Sequence, residues 1–176
     1  KAYKGKKYEN VELAGFYWIT EEFLDKSPLL PMVSEYVHSK GYPITWIPYF
    51  QAPGYTEWRE KGFDLAWYQP NYFFYNVPES QIKTACEQAQ ANGMGMEMEL
   101  DERASVKPLW GDKSLDYKLR AYMKTFKECG AWANCQLAYY QDTHAVRHLK
   151  DSSDPRDVEL YQDLCDFIAK RPYRNK

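Results

Sequence analysis

Three features of this sequence predict an α/β fold assembled from parallel βα units. Five short runs rich in β-branched and aromatic residues are each followed by a stretch with helix-like spacing. Pro and Gly punctuate the joins, as with Pro78 before and Gly93 after one candidate helix. The run at 93–104, GMGMEMELDERA, alternates strictly, a pattern that a strand converts into two unlike faces. Two architectures fit: an open doubly wound sheet, or part of a (β/α)8 barrel. A complete barrel needs eight units and about 250 residues. With 176 residues and five units, a single domain is expected over 1–176. It would be either an open sheet or the back portion of a barrel whose front is absent.

The first strand is expected in VELAGFYWIT (11–20), followed by a Pro-containing loop and the candidate helix PMVSEYVHSKG. The second lies in PITWIPYF (43–50), with GYTEWREKG as its helix-like partner. The third, FDLAWYQPNYFF (63–74), leads into the helix pattern VPESQIKTACEQAQANG. The fourth is the alternating run. Its helix, SLDYKLRAYMKTFKECG, places Leu115, Leu119, Tyr122 and Phe126 on one stripe. The fifth, ANCQLAYYQD (133–142), precedes DVELYQDLCDFIAKR.

The fourth run carries the most information. Met94, Met96, Met98 and Leu100 share one face; Gly93, Gly95, Glu97, Glu99 and Asp101 share the other. A parallel strand is usually apolar on both faces. The Met face is therefore expected beneath helices, and Glu97 and Glu99 are expected in a lumen or cleft that tolerates charge.

Composition narrows the function classes. The formal net charge of −2 gives no reason to expect nucleic acid. No apolar run is long enough for a membrane span. No signal peptide is visible at Lys1, although a processed chain would lack one. Aromatic residues make up 17%, with 16 Tyr and 6 Trp, rings with a polar handle that suit saccharide clefts and interfaces. Cys86, Cys129, Cys135 and Cys165 form no C-x-x-C pair and are expected to be buried free thiols. Neither G-x-G-x-x-G nor G-x-x-x-x-G-K-[ST] occurs, and His144 and His148 lack the H-E-x-x-H context, so no cofactor or metal is expected.

In both architectures ligands bind at the C-terminal ends of the strands. Glu99 is the candidate general acid/base or nucleophile, partnered by Glu21 or Glu22 at the end of the first strand. Glu97 supports it through an ion pair or lines the site. Gln69 and Asn71 would orient hydroxyl groups, with Gln51 lining the site and Tyr140 and Asp142 contributing from the last strand. Trp67 either packs in the core or offers a ring to substrate. A weaker metal-dependent arrangement would use Glu97, Glu99, Asp142 and His144.

Taken together, ELAGFYWITEE, YVHSKGYPITWIPYF, GFDLAWYQPNYFF, GMGMEME and AYYQD resemble the strand ends of a bacterial family, domain-of-unknown-function family 4855. The resemblance runs from about Val11 to Asp142. It implies a TIM-like barrel similar to glycoside hydrolases, of which this chain holds the C-terminal five units. It further implies a carbohydrate ligand and a secreted or periplasmic location. Because five units cannot close an eight-stranded barrel, packing against the N-terminal part of the barrel or another chain is also expected. Counted from the barrel's closing end, the first strand is the fourth and GMGMEMEL the seventh. In the large clan of retaining glycosidases those strands end in the acid/base and the nucleophile, places that Glu21 or Glu22 and Glu99 would match. A non-catalytic carbohydrate-binding or scaffold barrel is the rival expectation, since fold alone does not fix function.

Overall fold

A computed structural model describes residues 10–23 and 28–172. Five strands form one sheet: β1 (Phe16–Trp18), β2 (Ile44–Trp46), β3 (Leu65–Tyr68), β4 (Gly95–Leu100) and β5 (Leu137–Gln141). They pair in parallel and in chain order, with Glu97 opposite Ala138 and Glu99 opposite Tyr140. Crossovers that always step the same way put the helices that contact the sheet on one of its faces. The result is a curled half-barrel with a concave inner face.

The helices are α1 (Leu29–Ser39), α2 (Ser80–Ala91), α3 (Asp116–Glu128), α4 (Ala131–Asn134), α5 (Ala145–Asp151) and α6 (Pro155–Ala169). The core lies between them and the outer face of the sheet. Trp46, Tyr68, Ile82, Met96, Met98, Leu119 and Phe126 are fully buried there. The Met face of β4 thus packs beneath helices, as its alternation predicts. Gly93 stops α2 with φ at +62°, a conformation that side chains disfavour.

Three expectations need correction. GYTEWREKG forms a single 3-10 turn, Tyr55–Glu57, and not an α-helix. Gly54 and Gly62, at φ +83° and +92°, bound a segment too short to offset the cost of nucleating a helix. Rings cover the sheet there instead: Trp46 stacks on Phe63 at 5.2 Å, and Phe23 lies 4.8 Å from Trp46. The first strand is also shorter than its apolar run, because β1 has a neighbour on one side alone among the described residues. Of the thiols, Cys86 is buried, whereas Cys129, Cys135 and Cys165 are half-buried; all four are free.

β1 and β5 form the two ends of the sheet, and among the described residues no further strand pairs with either. Phe16, Tyr17 and Ile19 on one side and Tyr139 and Tyr140 on the other are exposed. No described helix is long and apolar enough to cross a membrane.

A buried carboxylate laces the strand-end loops together. Glu102, 4% exposed, accepts from the Thr143 hydroxyl, from the His144 N–H at 3.0 Å and from the Trp110 indole at 3.3 Å. Burial works to raise its pKa, but these donors hold it down to about 2. Its folded pKa lies below the unfolded value of 4.5, so its stabilisation is present above that pH and is lost as pH falls toward 2. Glu102→Ala should lower unfolding stability at pH 7 by about 2–4 kcal/mol. In urea titrations the wild type should lose this advantage over the variant between about pH 4.5 and pH 2.

Candidate active site

The inner face of β4 is built in two stages. At its start, a Cβ on Gly95 would sit 2.6 Å from Cδ1 of Trp67 and 2.6 Å from the carbonyl oxygen of Gln136. The glycine is required by that close approach, and the indole fills the layer beneath Glu97. Beyond it, Glu97 and Glu99 project to the same side and are 5% and 3% exposed.

Both carboxyls line a cleft of about 300 Å³ at the C-terminal ends of the strands. The remaining lining residues are Glu21, Gln69, Asn71, Phe74, Tyr75 and Tyr140. Phe74 and Tyr140 meet edge to face at 6.0 Å, forming an aromatic wall. A second hollow of about 330 Å³ continues past Glu21, Asn71 and Tyr75 toward Tyr49, Phe50, Val77 and Gln81.

A chain of amides positions Glu21. The Phe50 N–H donates to Asn71 Oδ1 at 2.6 Å, and Asn71 Nδ2 donates to Gln69 Oε1 at 3.2 Å. Gln69 Nε2 in turn donates to Glu21 Oε1 at 3.0 Å. Every amide orientation in this relay is fixed by its backbone anchor. Asn71 sits at φ +53°, a costly conformation for a residue with a side chain. Lys118 holds its loop in place: buried Nζ donates to the carbonyls of Tyr72, Phe73 and Tyr75 at 2.7, 3.2 and 2.7 Å.

Glu99 is buried but partnered. The Tyr122 hydroxyl donates to it at 2.6 Å while accepting from the Tyr72 N–H at 3.2 Å. Burial raises its pKa; Tyr122 and the backbone amide of Asn71 pull back, Glu21 pushes up again and Lys118 pulls down, leaving it at about 7. Glu97 accepts no hydrogen bond from any described residue. Burial, then the charges of Glu99 and Glu21, push it to about 8. Tyr17 of β1, about half exposed, is pushed to about 12 by the partial burial it does have and by Glu21 and Glu97.

The structure therefore brings together Glu21, Gln69, Asn71, Glu97, Glu99 and Tyr140. It leaves four anticipated residues outside the cleft. Glu22 accepts from the Tyr49 hydroxyl. Gln51, at φ +60°, uses its backbone N–H on the Tyr68 hydroxyl. Trp67 packs over Gly95. The Asp142 N–H extends the β4–β5 ladder to the Leu100 carbonyl. Among the described residues, no three His, Cys, Asp or Glu side chains gather as a metal-binding set, so the four-residue metal arrangement does not form.

Sequence reasoning missed Lys118 and Tyr122 as site residues. Their signal was present: Lys118 interrupts the stripe of Leu115, Leu119, Tyr122 and Phe126, a place where a charge needs a buried partner.

Residues 1–166 match the model of a family described as Domain of unknown function (DUF4855). The chain belongs to this family. No curated protein and no solved structure matches it. The chemistry open to this DUF4855 cleft follows from its own groups.

Tyr122→Phe removes a hydrogen bond to the ionised form of Glu99. The Glu99 pKa should rise above its value of about 7, read by NMR titration of the side-chain carboxyl carbons. A second expectation concerns stability. The folded pKa values of Glu97 and Glu99, about 8 and 7, both exceed the unfolded 4.5. The folded state then holds more protons between those limits, and stability falls as pH rises through the window. Glu97→Gln should flatten this decline, with the variant gaining on the order of 3 kcal/mol over wild type between pH 5 and pH 8.5. Chemical denaturation at the two pH values measures it.

Proposed function

We propose that this protein is a glycoside-hydrolase-like barrel module acting on a polysaccharide or glycan through Glu99 and Glu21. The observation that carries the reading is one cleft lined jointly by Glu21 and Glu99, with amides and aromatic rings around them. Glycoside hydrolysis asks for two carboxyl groups of unlike character beside one sugar ring. Environment divides the work here. Glu99, buried and raised to about 7, is the group suited to give a proton to the leaving oxygen and to take one back. Glu21, exposed and held by the Gln69 amide, offers the second carboxylate to the anomeric centre or to water. The roles run the other way round from the strand-position analogy, because Glu99 is the buried carboxyl and Glu21 the exposed one. Gln69 and Asn71 supply amide groups, while Phe74, Tyr75 and Tyr140 offer rings to a sugar face.

Glu99→Gln and Glu21→Gln keep size and hydrogen-bonding capacity while removing the ionisable group. Each should lower turnover of a cleaved glycan by about a hundred- to ten-thousand-fold, with an unchanged circular dichroism spectrum. Reducing-end assays on a broad polysaccharide panel read the loss. Wild-type rates in Glu99→Gln would remove the assignment. Saccharide binding without cleavage by the wild type would leave the non-catalytic carbohydrate-binding barrel in its place.

A further inference from the structure

We propose that the cleft recognises an amino sugar through its ammonium group, with Glu97 as the acceptor. This rests on the glycan reading and narrows it to a substrate class. Glu97 is a polar side chain 5% exposed that opens into the cleft, and no described residue hydrogen-bonds to it. A buried carboxyl is normally satisfied by protein partners. Here the ligand supplies them.

The surrounding charge points to the sign of that ligand. Glu21, Glu97 and Glu99 line the cleft, and none of its lining residues is Lys, Arg or His. The neighbouring cations are committed elsewhere: Lys118 to three carbonyls, and Arg103 to Asp101 at 2.7 Å. An anionic sugar would meet three acids and no counter-charge. A neutral sugar would leave Glu97 holding its proton, as burial already favours. An ammonium group donates three hydrogen bonds and brings the positive charge that makes ionised Glu97 affordable in this setting. The cleft volume of about 300 Å³ stands at the lower end of small-molecule pockets and suits one ring at this position. No covalent step is implied; the contact is a charge-assisted hydrogen bond.

Calorimetric titration of the intact protein with three β-1,4-linked tetramers tests the idea: those of glucosamine, N-acetylglucosamine and glucose. They differ at C2 alone, as ammonium, acetamide or hydroxyl. Galactosamine and galactose form a second matched pair. In at least one series the amine should bind at least about tenfold more tightly than its counterparts, the least a charge-assisted hydrogen bond contributes. Glu97→Gln should bring that ratio close to one. Glu22→Gln, an acid outside the cleft, should leave the ratio as in wild type. Equal or tighter binding of the neutral or acetylated sugars overturns the proposal while the glycan reading stands. A preference lost equally in Glu22→Gln marks it as diffuse attraction and also overturns it. Absence of binding by every saccharide tested removes both readings together.

Discussion

Burying Glu97 and Glu99 on the inner face of β4 costs free energy that the elements around them are arranged to offset. For Glu99, α3 and the loop after β3 answer this demand. The Tyr122 hydroxyl reaches Glu99 from α3, and the loop after β3 turns through Asn71 so that its amide stabilises the same carboxyl. Lys118 stays buried because three carbonyls of that loop receive its ammonium protons. Of the pair, Glu97 accepts no hydrogen bond from a described residue and remains open to the cleft.

The same logic explains where the backbone is strained. Gln51, Asn71 and Thr143 adopt positive φ although none is a glycine, and each follows a strand at the C-terminal edge of the sheet. Each is tied down by a bond from elsewhere: Gln51 to Tyr68, Asn71 to Phe50 and Gln69, and Thr143 to Glu102. Strained residues held this way cluster where function is built. The opposite edge is instead governed by packing, as Gly95 beneath Trp67 shows.

The fold was legible where periodicity was clean. Alternation in GMGMEMEL separates the Met and Glu faces correctly, since a strand's period of two leaves no other register. The helix after it was legible from Leu115, Leu119, Tyr122 and Phe126. GYTEWREKG misled because its polar and aromatic residues mimic helical spacing, while the two flanking glycines, free to take positive φ, decide the outcome. At the site, Glu21 could not be told from Glu22 in sequence. Which of two adjacent acids enters the cleft depends on Gln69 and Tyr49, residues from two other strand ends. Likewise, Gln51 and Asp142 stand after strands as functional residues would, yet their backbone N–H groups are spent on Tyr68 and Leu100.

One helix, α3, carries both the lysine that fastens the loop above the cleft and the tyrosine that holds Glu99, a single turn apart. Loosening the cleft therefore means peeling the first turns of α3 from the core, where Leu119, Tyr122 and Phe126 are fully buried. Local opening of that kind draws on much of the free energy of global unfolding. The wall of the cleft that holds Glu99 is thus as firm as the core beneath α3, and its geometry should persist on heating until that helix itself detaches.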